Sequence, residues 1–93
     1  MQLLTKVFGD HLVKLRTDTG KDRATLAREA GLDYRYLERV EGGRQMPSIY
    51  NFIQLAAALD TTPEKLIAPI WTAWLKAGQP DVSRVRGPNK KKI

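Results

Sequence analysis

Residues 23–42 read RATLAREAGLDYRYLERVEG, and the spacing inside these twenty positions decides the fold. Asp22, just ahead of the stretch, suits a helix N-cap, and Leu26, Ala27 and Ala30 then recur at helical spacing. Gly31 stops that helix in a turn where the chain needs a positive φ that a side chain would resist. Asp33 caps a second short helix whose inner face is Leu37 and Val40, with Leu32 as a further anchor, and Gly42-Gly43 ends it. Ala27 is small where two such helices cross closely. Two short helices joined by a tight turn are therefore predicted.

The flanking segments extend the same pattern. Leu4, Phe8, Leu12 and Leu15 predict a first helix over residues 2–18, ended by Thr19-Gly20. Pro47-Ser48 opens a fourth helix, with Ile49, Phe52, Ile53, Leu55, Ala56 and Leu59 at i, i+3, i+4, i+7 spacing. Thr61-Thr62-Pro63-Glu64 starts a fifth, with Thr61 and Glu64 at capping-box spacing and proline in a permitted first-turn position. Pro69 opens a short sixth, containing Trp71, Trp74 and Leu75 and stopping at Gly78. From Gln79 onward Pro, Gly, Ser, Asn and Lys dominate without periodicity, which predicts a flexible tail. No segment reads as a strand, so the fold expected is all-α. Residues 1–68 form the predicted domain, 69–78 an additional apolar helix, and 79–93 a basic tail.

Composition narrows the function. The chain has 93 residues, a net charge of +6 and no cysteine, which excludes disulfide scaffolds, thiolate zinc sites and thiol catalysis. Residues 1–76 carry only two more basic than acidic side chains; most of the excess lies in Arg84, Arg86, Lys90, Lys91 and Lys92. Overall basicity is thus weak evidence for a nucleic-acid partner, and the positions of individual arginines matter more. The longest apolar run, Leu66 to Leu75, is interrupted by Pro69 and Thr72 and falls short of the roughly 18 residues a membrane span needs. MQLLTKVFGD holds no signal-peptide core, so a cytoplasmic location is expected. His11 is the single histidine and has no ligand-type partner one turn on; no metal and no cofactor are expected. Acids are scattered and no phosphate-cradling loop or nucleophile–base set is present, so the expectation is a non-enzyme.

From about Val7 to Ile67 the chain resembles the lambda-repressor/Cro-type (XRE-like) helix-turn-helix family, a fold of five short helices. The residues that carry the resemblance are Leu26-Ala27 with Gly31, then Val40-Glu41-x-Gly43 and Pro47-Ser48. The resemblance implies a structural salt bridge between Arg16 and Glu41. The chain departs from the usual pattern in having Arg23 where many relatives carry glutamine, a bulky Tyr34-Arg35-Tyr36 opening, and an acidic Glu38.

What the resemblance implies for recognition follows from helix geometry. An α-helix fits the DNA major groove and reads base edges from near its start. With Leu37 and Val40 turned inward, Tyr34, Arg35, Glu38 and Arg39 lie outward as candidate base contacts. Arg35 suits a guanine, and Arg39 a second guanine or a phosphate. Tyr34 suits a thymine methyl or a phosphate; Glu38 suits a cytosine amino group or the orientation of a neighbouring arginine. Arg23, Arg44 and Gln45 are candidate phosphate contacts. The bland alternative for each is a solvated helix residue. Tyr36 fits either role or packing against the fourth helix, and Tyr50 has no assignment.

The function expected is sequence-specific binding of double-stranded DNA by a small dimeric transcriptional regulator, of autorepressor or restriction–modification controller type. The alternative is an antitoxin that binds its toxin as well as its own promoter. A third possibility is a fold used only for protein contacts. Ile70, Trp71, Trp74 and Leu75 form a broad apolar face on a helix too short to stand alone. Either it packs back onto its own chain, or it is the two-fold interface of a homodimer reading a palindromic operator.

Overall fold

A computed structural model describes residues 2–78, which form five α-helices: α1 (Gln2–Asp18), α2 (Arg23–Ala30), α3 (Tyr34–Glu41), α4 (Ile49–Ala58) and α5 (Pro63–Lys76). No strand occurs among the described residues. The tail residues Arg84, Arg86 and Lys90 to Lys92 lie outside them.

The helix ends follow from local chemistry. Asp22 accepts a hydrogen bond from the Thr25 amide, Asp33 from the amides of Arg35 and Tyr36, and Ser48 from the Asn51 amide. The Thr25 amide bond also holds the Asp22 carboxyl below its ordinary pKa. Gly31 closes α2 at φ 72°, and the Leu32 amide returns to the Ala27 carbonyl at 2.8 Å. This 6→1 bond satisfies a carbonyl left open at the helix end and turns the chain directly into α3.

Every helix contributes to one core. Phe8 and Leu12 of α1, Leu26 of α2, Leu37 and Val40 of α3, Leu55 of α4 and Leu66 of α5 are fully buried. Ala27, Ala30 and Ala56 fill the close crossings, and Phe8 meets Phe52 with ring centroids 5.7 Å apart. Burial of these side chains holds together helices that would be marginal alone.

Three expectations need correction. Residues 63–76 form one continuous helix with Pro69 inside it, not a fifth and a sixth. Pro69 gives up the bond its amide would have made to the Lys65 carbonyl, and its ring crowds that carbonyl. Leu66 is buried before it and Ile70 packs against the core after it, so α1 and the core hold both halves in line. The cap of this helix is Thr62, whose hydroxyl accepts from the Lys65 amide at 3.2 Å, not Thr61. On α4, Ile49 and Ile53 are exposed; the buried stripe runs through Leu55, Ala56 and Leu59.

Candidate nucleic-acid interface

The interface is built around α3, an eight-residue helix with three stripes. Leu37 and Val40 face the core. Tyr34, Glu38 and Glu41, at i, i+4 and i+7, face the start of α2. Arg35 and Arg39 lie on the outward stripe beside them, and both are exposed.

Glu41 is the anchor of this arrangement. It is 5% exposed and accepts from two arginines. Arg16 of α1 donates from Nε at 2.7 Å and from Nη2 at 3.1 Å, and Arg23 of α2 donates from Nε at 2.9 Å. Arg16 also donates to the Lys21 carbonyl at 3.2 Å. One carboxylate therefore ties the end of α3 to the end of α1 and the start of α2. Such a charge is tolerable in the interior because three charge-assisted hydrogen bonds from two guanidiniums meet it there.

Gly9 makes the same junction close. A Cβ there would lie 2.6 Å from the Glu41 carbonyl oxygen and 2.7 Å from that of Val40. Only glycine lets α1 approach the α3 backbone this tightly.

Arg23 is engaged on three sides by α3. Besides the bond to Glu41, its Nη1 lies 3.8 Å from a Glu38 carboxylate oxygen, and its guanidinium sits 5.8 Å from the centroid of the Tyr34 ring. The Glu41 bond, opposed by burial, raises its already high pKa.

At the other end of α3, the Arg44 amide returns to the Arg39 carbonyl at 3.0 Å and fixes the loop that follows. Arg39 donates from Nε to the Gln45 side chain at 2.9 Å and lies 5.9 Å from the Tyr36 ring centroid. Tyr36 packs against the core, and its hydroxyl accepts from the Asn51 side chain at 3.0 Å, which ties it to α4. Arg35 and Arg44 make no side-chain hydrogen bond or ion pair among the described residues.

A second surface lies away from α3. Leu4, Ile67, Ile70, Trp71 and Trp74 line one shallow apolar hollow; Met46, Pro47, Ile49, Phe52, Ile67 and Ile70 line another. Because Ile67 and Ile70 belong to both, the two hollows are one surface running from α1 across α5 to α4. Trp71 is 56% exposed and stacks on Trp74 with centroids 5.5 Å apart; Leu75 is exposed at the same end.

The geometry matches a known family. The helix-turn-helix domain family covers residues 7–68 of the chain. The chain belongs to the helix-turn-helix family. Its lambda-repressor-like character, legible in Leu26-Ala27, Gly31 and Val40-Glu41, fits that membership. It is similar to an uncharacterised HTH-type transcriptional regulator, y4dJ, of Sinorhizobium fredii, at 27% identity over 71% of this chain and 86% of that protein. The restriction-modification controller protein C.AhdI from Aeromonas hydrophila has 42% identity and a TM-score of 0.65, over 67% of this chain and 94% of that one. The clp gene regulator ClgR from Corynebacterium glutamicum has 26% identity and a TM-score of 0.71, over 88% of each chain.

Within this helix-turn-helix, Arg23 meets the candidates Tyr34 and Glu38 and Gln45 meets Arg39, while Arg35 and Arg44 are exposed. Gln45 is spent on Arg39, and Arg23 on Glu41. Ile70 belongs to the core margin, whereas Trp71 and Leu75 remain exposed. Sequence reading passed over Gly9, the Asn51–Tyr36 bond and the share of Ile49, Met46 and Ile67 in the apolar surface. Gly9 carries no turn signal, because its need arises from a neighbour thirty residues on. No described helix is long and apolar enough to cross a membrane, and no described cluster of side chains suits a metal ion.

Proposed function

We propose that this chain is a transcriptional regulator that binds double-stranded DNA by inserting α3 into the major groove. The observation that carries this reading is Arg35: an exposed arginine in the first turn of a rigidly clamped helix, without a protein partner among the described residues. A guanidinium held there matches the O6 and N7 of guanine bidentately. Arg39, oriented by Gln45 and Tyr36, reads a second base or a phosphate. Tyr34 and Glu38 meet the adjoining bases. Arg44 and the remaining edge of Arg23 contact phosphates, with Gln45 beside them. The controller and regulator names of the similar proteins support a regulator over an antitoxin.

The regulator acts as a homodimer through the apolar surface of Trp71, Trp74, Leu75 and the adjoining Ile70. Buried aromatics are frequent interface anchors, and a core of this size gains from association. A two-fold dimer sets two recognition helices about 34 Å apart and so requires a palindromic operator. Regulation is then by protein concentration and dimerisation, with no catalysis and no cofactor.

Selection from a library of duplexes with a randomised core, followed by footprinting of the winner, tests the reading. An inverted repeat with half-sites one helical turn apart is expected. Recovery of no enriched sequence would overturn it.

A further inference from the structure

Tyr34, Glu38 and Glu41 form the stripe of α3 that turns toward α2, and a single side chain spans it. Arg23 donates to Glu41 at one end, lies against Glu38 in the middle and covers the Tyr34 ring at the other. A phosphate can reach only the outer edge of the Arg23 guanidinium. The side chain is 29% exposed, with its Nε already committed to a buried carboxylate. Its neighbours are the two residues of the outward set that are least suited to a groove lined by phosphates. An unrestrained tyrosine in the first helical turn moves among rotamers, and an unneutralised Glu38 repels the DNA backbone. A cation within about 6 Å of an aromatic centroid holds the ring on its face.

We propose that Arg23 is a positioning residue for base recognition: it fixes the Tyr34 ring and screens Glu38, and so sets which base pair the start of α3 prefers. The inference rests on the DNA-binding reading above and adds a route by which an arginine outside α3 governs specificity. Lysine cannot replace arginine here. It keeps the charge but lacks the planar face that stacks on tyrosine and the second donor edge that reaches Glu38.

The test uses the full chain and the duplex that the wild type selects from a randomised library. Affinities are measured on that duplex and on each of its single-base-pair variants. Arg23→Lys, Tyr34→Leu and the double variant are compared after helicity and melting are checked. Arg23→Gln, whose amide still donates to Glu41, is the second variant in case Arg23→Lys does not fold. Both single variants are expected to lose preference at one and the same base pair, by roughly tenfold, the lower range for a specific contact. The double variant is expected to lose no more than either single one, since the pair acts as a unit. An even loss over all duplexes for Arg23→Lys, or a change at a base pair that Tyr34→Leu leaves alone, would overturn the proposal. A wild type that selects no sequence would bring down the DNA-binding reading first, and this inference with it.

Discussion

Removing Glu41 should damage this domain more than removing either arginine that binds it. Glu41 presents a side chain 1% exposed to three donors, at 2.7, 2.9 and 3.1 Å. In Glu41→Ala the Arg16 guanidinium, on a side chain 12% exposed, loses both of its carboxylate bonds and keeps only the Lys21 carbonyl. Stranding a buried charge in this way costs about 3–5 kcal/mol. Small domains have total stabilities from about 5 kcal/mol upward, so the variant would stand near its unfolding threshold at room temperature. Arg23→Ala is milder. Glu41 keeps the paired bonds from Arg16, and the space left by Arg23 opens to water, so about 1–2 kcal/mol is lost with one charge-assisted bond. Arg16→Ala falls between them. Urea titration followed by tryptophan fluorescence and far-ultraviolet dichroism measures all three, with Glu41→Gln as a graded variant should Glu41→Ala not fold. A loss below about 1 kcal/mol for Glu41→Ala, or a larger loss for Arg23→Ala than for Arg16→Ala, would refute the reasoning.

Four further outcomes are expected. Arg35→Ala should lose about 1–3 kcal/mol on the selected duplex and relax preference at one base pair; an even loss over all sequences would exclude base readout by this residue. Trp71→Glu places a charge on an exposed part of the apolar surface, so sedimentation at micromolar concentration should move toward monomer while helicity persists. A wild type already monomeric there would remove the interface. Gly9→Ala drives a methyl group into two backbone carbonyls and should cost about 1–3 kcal/mol or more, and a neutral melting curve would contradict the close approach of α1 and α3. His11 has its pKa lowered from 6.5 by burial and by the charge of Lys14, and its Nε2 is buried without a partner among the described residues. The unfolded chain therefore takes up a proton near that pH while the folded chain resists it. Stability should be full above this range and fall as the pH drops through it toward the depressed folded value. His11→Gln should flatten that limb as the pH falls through 6.5, and an unchanged slope would show that other groups cause it.

The first four helices and the start of the fifth were legible because their signals are local. Asp22, Asp33 and Ser48 cap where the sequence places them, and Gly31 turns the chain where positive φ is needed. What failed was a rule applied without its tertiary context. Pro69 reads as a helix start because it cannot donate and its ring crowds the preceding turn, yet buried Leu66 and packed Ile70 hold the helix continuous across it. Ile49 and Ile53 fit the apolar period of α4, but the stripe is wider than the core it faces. At the interface, the outward set on α3 follows from the inward one by periodicity alone. The partners of that set do not, since Arg23 with Tyr34 and Arg39 with Gln45 meet only after the turn and the following loop have closed.

The near-neutral domain and a DNA-reading surface are compatible once the pairing of charges is followed. Lys6 and Lys14 bond acids one turn away, Lys21 bonds Glu29, and Arg16 and Arg23 share Glu41. Arg39 is held by a neutral glutamine. Net charge averages over these pairs and hides what remains around α3, where Arg35 and Arg44 stand without acidic partners among the described residues. The helix that presents Arg35 is only two turns long and would not persist alone. Its inner stripe is fixed by Leu37 and Val40 in the core, its α2-facing stripe by Arg23, and its final turn by Glu41 and the close approach at Gly9. Arg35 and Arg39 are left facing outward, with the exposed edges of Tyr34 and Glu38 beside them. Rigidity supplied from α1 and α2 thus lets an eight-residue helix present arginines from a backbone with little ordering left to lose on binding, which favours discrimination of one base pair from another.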